Sequence, residues 1–554
     1  MTESPNNELA PFYYRDNFLR LCDTVQAQYE DVLSSEEHDT LKAFRNLEFQ
    51  AQCLYVRLVS RVGPWFRESK LQYTELGQIT PILDTLLTQG MAHEAQSLCA
   101  FELGKLFTRE ELQQAFFLWG QACAHDKATL LCAIEELKLT GQDIMQALTG
   151  IDRKRIVAPT GVDLTEKLQL LFFGNQRQSI TDFVLQDLGI TRYYPYTLDR
   201  QYRLFSNRDA VEEYLRCAAW SENYYALLEA GDWERLPALA TQMCDIHIRF
   251  PSSEKRWHRL CNSVARDLER IDQHRAALQL YEKSLRHPAR ERRARIQENL
   301  GNLNGTVQLC EMILADPWCE EEREAAARIL SRARRKLDGS RQRRPRDVFT
   351  AVTLSIPAGN GAVEDQVAGH LANHWQAVHY VENKLMNTLF GLAFWEQIFA
   401  TVPGAFHNPF QSVPADMYDS GFRLARRTAL TSRLDELRKS SLVDALNTAY
   451  QRYQNYQCRW VDWRRITAEL VDNCTRTIPA EHLLAIWERM LFDPGENRRG
   501  FPDLIALGTG PGDYCMIEVK GPGDALQDNQ KRWLRFFQTQ GIPAQVAWVE
   551  WRVD

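Results

Sequence analysis

Apolar residues recur at three- and four-residue spacing across 13–35, 37–66 and 76–103, with short polar turns between the segments. That period gives each segment one apolar face and predicts helices. "FTREELQQAFFLWGQACAHDKATLLCAIEEL" (107–137) reads as two more short helices joined near His125 and Asp126, and "GIDRKRIVAP" after it as a basic turn. From about 225 the pattern becomes one of paired helices. "HRAALQLYEKSL" (274–285) carries the Ala, Leu, Tyr and Leu spacing of a tetratricopeptide second helix, and "REAAARIL" (323–330) echoes it. The period is irregular, so this is a degenerate helical-repeat region.

The pattern changes again after about 370. "HWQAVHYVENKLMNTLFGLAFWEQIF" (374–399) predicts a long apolar helix with Glu382 near its start. "DLIALG" (503–508) reads as a strand, "TGPGD" as a turn and "YCMIEVK" (514–520) as the returning strand. A helix over 524–541 and a last strand over 544–551 follow. The expected architecture is multidomain, mostly helical first and α/β at the C-terminus. Its expected boundaries are 1–75, 76–160, 161–369 (repeats with a basic linker) and 370–554.

Length and composition agree with this division. At 554 residues, 44% hydrophobic and 25% charged, the chain is too long for one core and reads as three or four globular domains. Its most apolar stretch contains Glu396 and Gln397, which favours a buried helix over a membrane span. The N-terminus lacks the basic and apolar regions of a secretory signal. Thirteen scattered cysteines without a CxxC pair argue for a reducing compartment and against a disulfide framework. That fits the cytoplasm and nucleoid of a bacterium, or a nucleus in a eukaryote.

Charge adds one refinement. The net charge of −7 conceals a run, "SRARRKLDGSRQRRPR" (331–346), in which eight basic residues face one acidic residue. Such a run is either a patch for a polyanion or a solvated linker. "ITRYYPYTLDRQYRLF" (190–205) is similarly open, either a stacking and phosphate-contacting strip or a loop pinned to helices by its tyrosines. Lys127, Arg153, Lys154 and Arg155 border the short helical pair and suit a duplex backbone; Arg423, Arg426 and Arg427 lie on a basic helix expected over 422–439.

The 503–520 hairpin is where chemistry concentrates. Glu518 and Lys520 are two apart and share one strand face, while Ile517 and Val519 share the other. The turn returns Asp503 to the same sheet end. Leu526, Trp533, Leu534 and Phe537 form an apolar helix face able to cover the sheet. Phosphodiester hydrolysis needs oxygen ligands for Mg²⁺ or Mn²⁺, an activated water and charge neutralisation. Asp503, Glu518, the Val519 carbonyl and Glu382 are candidate ligands, and Lys520 a partner for the water. His370, His374 and His379 suggest a zinc site only weakly, since no HExxH pattern follows and Trp375 and Val378 suggest packing.

The segments "PDL", "EVKGP.D.L…Q" and a following Trp resemble the VRR-Nuc branch of the PD-(D/E)XK nucleases. More widely, "LYVRLVSRVGPWFRESKLQY" (54–73), the 107–137 pair, the repeats, "VENKLMNTLFGLAFWEQIF" and "VPADMYDSGFRLARRTALTSRL" (413–434) resemble the Fanconi-associated nuclease family. The resemblance implies a SAP-type DNA-binding domain over 76–160, tetratricopeptide-like repeats and a C-terminal nuclease. It implies cleavage near 5′ flaps, 5′-to-3′ exonuclease activity and a role in interstrand cross-link repair. By motif the catalytic set falls on Glu382, Asp503, Glu518 and Lys520, supported by Gln530, with Arg57, Arg61 and Lys70 as further DNA contacts. The implied partner is branched or flapped duplex DNA, bound by a monomer or a DNA-induced dimer, without a membrane. No Cys/His cluster matches the ubiquitin-binding zinc finger of longer relatives, which resembles the short prokaryotic form. The lysine with which those relatives hold a 5′ phosphate is Asn529 here. The alternatives are a Holliday-junction resolvase or restriction-type enzyme on the same core, and a DNA-binding scaffold with an inactive nuclease domain.

Overall fold

The computed structural model describes residues 11–61, 63–118, 126–136, 139–178, 192–339, 347–357 and 359–552. The chain divides into two compact units, 1–191 and 192–554.

In the first unit, helices Tyr13–Tyr29, Ser35–Asn46 and Phe49–Val59 pack around Phe18, Phe44 and Tyr55. Ser34 and Glu37 cap the second of these reciprocally, satisfying two amides that a helix start leaves open. The helices expected to run to 66 and 103 stop sooner. The chain leaves the third helix at Ser60, and Gly90, at φ +68°, ends helix Ile79–Thr88. The freed segments 66–67 and 92–94 pair on either side of Ile156–Pro159. That central strand lies within the expected basic turn. It is buried at all four positions, so no polar alternation marks it as a strand. Helix Val162–Phe173 packs on Tyr13–Tyr29, which puts 162–173 in this unit rather than with the repeats. The 107–137 pair forms helices Arg109–Leu118 and Lys127–Glu136; the expected turn at His125 lies outside the described residues.

The second unit opens with helices from Arg208 to Asp338. Ala277, Leu280 and Tyr281 are buried, at the spacing of a repeat helix. Residues 331–338 of the basic run are the last turns of helix Glu320–Asp338. There Arg332 and Lys336 pair with buried Glu298, and Arg334 with Glu311. Three of its four basic residues are therefore paired within the repeats, and Arg335 is exposed; 340–346 lie outside the described residues. The repeats join the α/β part through Asp419, which pairs with Lys255 and Arg286. The aromatic strip at 192–205 is the pinned loop. Tyr194 packs against Trp395, Phe399 and Tyr453, and Tyr196 stacks on Phe406 and donates to the Asn408 carbonyl.

The α/β part is built on a five-stranded mixed sheet, ordered 351–357, 544–552, 514–520, 504–507, 377–380. The first two pairings are parallel and the last two antiparallel. Two expectations change. Strand Ala351–Pro357 belongs to this sheet, so the domain begins before 370; the strand is an edge, and only its Leu354 and Ile356 are buried. The expected helix over 374–399 instead contains strand Ala377–Tyr380, a bend at 381–383 and helix Lys384–Ala393. Nearly every residue of that helix is buried, so the apolar run had no polar face to show where its period changed.

One sheet face packs Leu504, Ile517, Val519, Ala547 and Leu354 against Val367 and Leu371 of helix Val363–Leu371. The other packs Ile505, Leu507, Tyr514 and Met516 against the helical core and against Trp533 and Phe537. The covering helix spans Asp528–Gln540, not 524–541, so Leu526 precedes it. Among the described residues no helix is long and apolar enough to cross a membrane, and the described cysteines are all free.

Candidate active site

The hairpin register pairs Leu504 with Ile517, which sets Asp503 opposite Glu518 on one face. Asp503 is fixed by backbone bonds. Its carbonyl accepts from Val381 and Glu382 N–H at 2.9 Å each, and its Oδ2 accepts from Val519 N–H at 2.8 Å. The lead-in to Asp503 is clamped by Trp533, whose Nε1 donates to the Arg499 carbonyl and whose ring stacks on Phe501 at 4.1 Å. Gly500 (φ +84°) passes so close to Asn529 that a Cβ would lie 2.8 Å from its carbonyl carbon. The two amides that bind the Asp503 carbonyl bring Glu382 to the same sheet end. There Glu382 holds a φ of 22°, a left-handed conformation that costs a non-glycine residue about 1–3 kcal/mol. Its carboxylate accepts from Tyr380 Oη at 3.1 Å and Asn383 Nδ2 at 3.2 Å.

Glu518 is 1% exposed, and neither of its carboxylate oxygens receives a hydrogen bond. Lys520 Nζ lies 2.8 Å from Oε1, an ion contact without hydrogen-bond geometry. Burial and the facing Asp503 push Glu518 up to about 7 despite this lysine. Burial also raises Asp503 to about 6, against the pull of the Val519 amide and Lys520, with Glu364 and Glu382 adding repulsion. A buried and a half-buried carboxylate face each other with one ammonium beside them, so the site is short of positive charge.

That shortage, the orphaned Glu518 oxygens and the all-oxygen donor set fit a hard divalent cation held by Asp503, Glu518, Glu382 and the Val519 carbonyl. Among the described residues no three His, Cys, Asp or Glu side chains already form a metal-holding group. Glu382 is engaged by Tyr380 and Asn383, and Lys520 occupies the space beside Glu518. Glu364, in the first turn of helix Val363–Leu371, is a charged neighbour of Asp503 absent from the candidates the sequence offers. Its signal was the acidic start of a helix, common to many helices. Gln530 uses its Oε1 to accept from Gln527 N–H at 2.8 Å, capping the covering helix. His370 and His374 lie with ring centres 6.3 Å apart, and burial lowers His379; the described histidines form no metal group.

A VRR-NUC domain model matches residues 437–551, and a FAN1 helix–turn–helix domain model matches residues 12–93. The Fanconi-associated nuclease 1 homolog of Pseudomonas aeruginosa is 34% identical over 98% of this chain and 97% of its own. The chain belongs to the Fanconi-associated nuclease family. The human Fanconi-associated nuclease 1 is 23% identical over 97% of this chain, which spans 62% of that longer protein. The crystal structure of paFAN1 bound to DNA with a two-nucleotide 5′ flap and a gap superposes with a TM-score of 0.80 at 33% identity, covering both chains completely.

In this Fanconi-associated nuclease the VRR-NUC match contains Asp503, Glu518, Lys520 and Gln530; Glu382 and strand 351–357 lie upstream of it. The helix–turn–helix match covers the first helices, whereas the sequence reading put such a unit at 107–137. The basic candidates separate by burial. Arg426 is corrected: it is 2% exposed, breaks the expected 422–439 helix, and makes a bidentate pair with Asp416 at 2.6 and 3.1 Å, so it braces the fold. Arg57 is occupied by Glu75 at 2.6 Å and Arg155 by Glu68 and Asp84. Arg61, Lys70, Arg153, Lys154, Arg423 and Arg427 are exposed, and Lys127 is half-buried.

Proposed function

We propose that this chain is a metal-dependent, structure-selective DNA nuclease. It cuts near 5′ flaps, removes nucleotides 5′ to 3′, and serves interstrand cross-link repair. The observation that carries this reading is half-buried Asp503 facing buried Glu518, with Lys520 beside them and Glu382 at the same sheet end. It is supported by end-to-end similarity to paFAN1 bound to a flapped DNA.

Asp503, Glu518, Glu382 and the Val519 carbonyl would hold Mg²⁺ or Mn²⁺, with Glu382 giving up its bond from Tyr380. When bound, the cation neutralises charge at the scissile phosphate and acidifies water. Lys520, a donor only, orients the attacking water and offsets charge developing on the phosphoryl oxygens. The Val519 amide holds Asp503 in place, and Trp533 keeps the Arg499–Phe501 lead-in from shifting it. The helical domains, with Arg61, Lys70, Arg153 and Lys154 in the first unit, grip duplex backbone.

A panel of labelled 5′-flap, 3′-flap, four-way-junction and plain duplex substrates tests this. The 5′ flap is expected to be cut fastest with Mg²⁺ or Mn²⁺, and the Asp503→Ala chain to bind it without cutting. Preference for the four-way junction favours a resolvase; cutting retained by Asp503→Ala removes the site assignment. Because Asn529 carries no cation, removing the 5′ phosphate from the flap is expected to leave the rate unchanged.

A further inference from the structure

The sheet face that carries Glu518 and Lys520 continues past them. Lys520 pairs with Trp548, and Trp548 with Thr353, so these three side chains form a row across adjacent strands on that face. Val546 beside Glu518 is buried, but Trp548 is only half-buried and Thr353 and Glu550 are exposed. The face therefore opens to solvent one strand away from Lys520. Gly521, Pro522 and Gly523 border the opening, a shallow, open cleft of about 620 Å³.

Trp548 lies outside the packed apolar clusters of this domain, whereas Trp375 and Trp551, which likewise stack on no ring, pack against the core of the other sheet face. Trp395, Trp460, Trp463, Trp487 and Trp533 all pack against other rings. Among the described residues no ring or cation stacks on Trp548. The cleft holds no basic side chain and does hold Glu550, which repels phosphate and accepts from an exocyclic amine. Gly523 has φ +90° and open space where a Cβ would stand, so this border leaves room over the cleft.

We infer that this cleft is a nucleobase subsite, in which a base flanking the scissile phosphate stacks on Trp548 while the phosphate lies over Lys520. The inference rests on the nuclease reading and deepens it. Trp548 is a positioning residue: it holds the nucleotide so that its phosphodiester meets the carboxylates one strand away. Stacking on an aromatic platform tolerates any base, as a nuclease selecting shape rather than sequence requires.

Single-turnover cleavage of a 5′-flap duplex by the full chain, with one abasic site moved through the nucleotides around the mapped cut, tests this. One abasic position is expected to slow the wild-type chain about tenfold. Trp548→Ala should slow the intact substrate by a similar factor and add no further loss at that position, and Trp548→Phe should recover most of the rate. Equal cutting of the intact flap by Trp548→Ala and the wild type overturns the subsite, as do abasic losses that multiply with the substitution. With the wild-type chain and no divalent cation, 2-aminopurine at the sensitive position is expected to be quenched on binding. Unchanged emission at every position overturns the proposal whether or not Trp548→Ala folds. A wild-type chain that cuts no flap overturns the nuclease reading and the subsite with it.

Discussion

Two regions of this chain bury carboxylates almost completely, and they treat them in opposite ways. In the helical repeats Glu322, at 0% exposure, receives Arg290 Nε at 2.9 Å, Arg290 Nη2 at 2.6 Å and the Trp318 amide at 2.7 Å. Glu298 nearby is paired with Arg332 and Lys336, and those bonds hold it below the usual carboxylate range. In the sheet, Glu518 at 1% exposure has an ammonium beside it and no directed donor, and burial raises it. The first arrangement offsets desolvation with fitted hydrogen bonds and is structural. The second leaves part of that cost standing, the arrangement expected of a site whose ligand supplies the missing charge.

The comparison is broken most directly by exchanging the roles. Asp503→Ala or Glu518→Gln is expected to lower single-turnover cleavage roughly a thousandfold or more. The same changes should move the melting temperature little, since each removes one of two facing carboxylates and leaves the other beside Lys520. Arg290→Ala should do the reverse. It strands Glu322 without its guanidinium and is expected to cost about 3–5 kcal/mol in urea unfolding, while the folded fraction still cuts. If Glu518→Gln destabilises the fold as much as Arg290→Ala does, the distinction fails.

These regions also differ in how plainly the sequence displayed them. The period-two placement of Glu518 and Lys520 opposite Ile517 and Val519 was legible, because a strand with one polar end shows its pleat. So was the Trp533, Leu534 and Phe537 stripe, which the structure buries. Strand 377–380 was not, because only a three-residue bend separates it from a helix buried on nearly all sides, and no polar helix face marks the change. The edge strand 351–357 was hidden by Pro357 at its end and by Gly359 and Gly361 just beyond it. Arg426 was misread among exposed arginines because its partner Asp416 is ten residues away, across a turn that only folding closes. Partners distant in sequence, not local pattern, separate structural charges from functional ones, and they are what a single sequence displays least.

A smaller effect sharpens the same distinction. If the sheet carboxylates await a cation, Mg²⁺ or Mn²⁺ should stabilise the chain by about 2.7 kcal/mol at a hundredfold excess over its Kd. Calorimetry should record this for the wild type and lose it in Glu518→Gln. Arg290→Ala, whose pair needs no ion, should keep the full increment. An equal increment in all three proteins would mean the cation acts elsewhere.

The smallest effect contrasts neighbouring arginines. Arg426 and Arg427 are consecutive and carry the same charge, yet one is buried against Asp416 and the other is exposed. Arg427→Ala should weaken flap binding a few-fold and reduce the slope of log affinity against log salt by about one, because a phosphate contact releases one counterion. Its melting temperature should not move. Arg426→Ala should leave the salt slope alone and lower stability, because it strands Asp416 and opens a space beside Phe422, over whose ring the guanidinium sits at 4.4 Å. Salt titrations and melts on the two variants separate charge used for DNA from charge used for the fold. An Arg426→Ala chain with normal stability and a reduced slope would return that arginine to the DNA track.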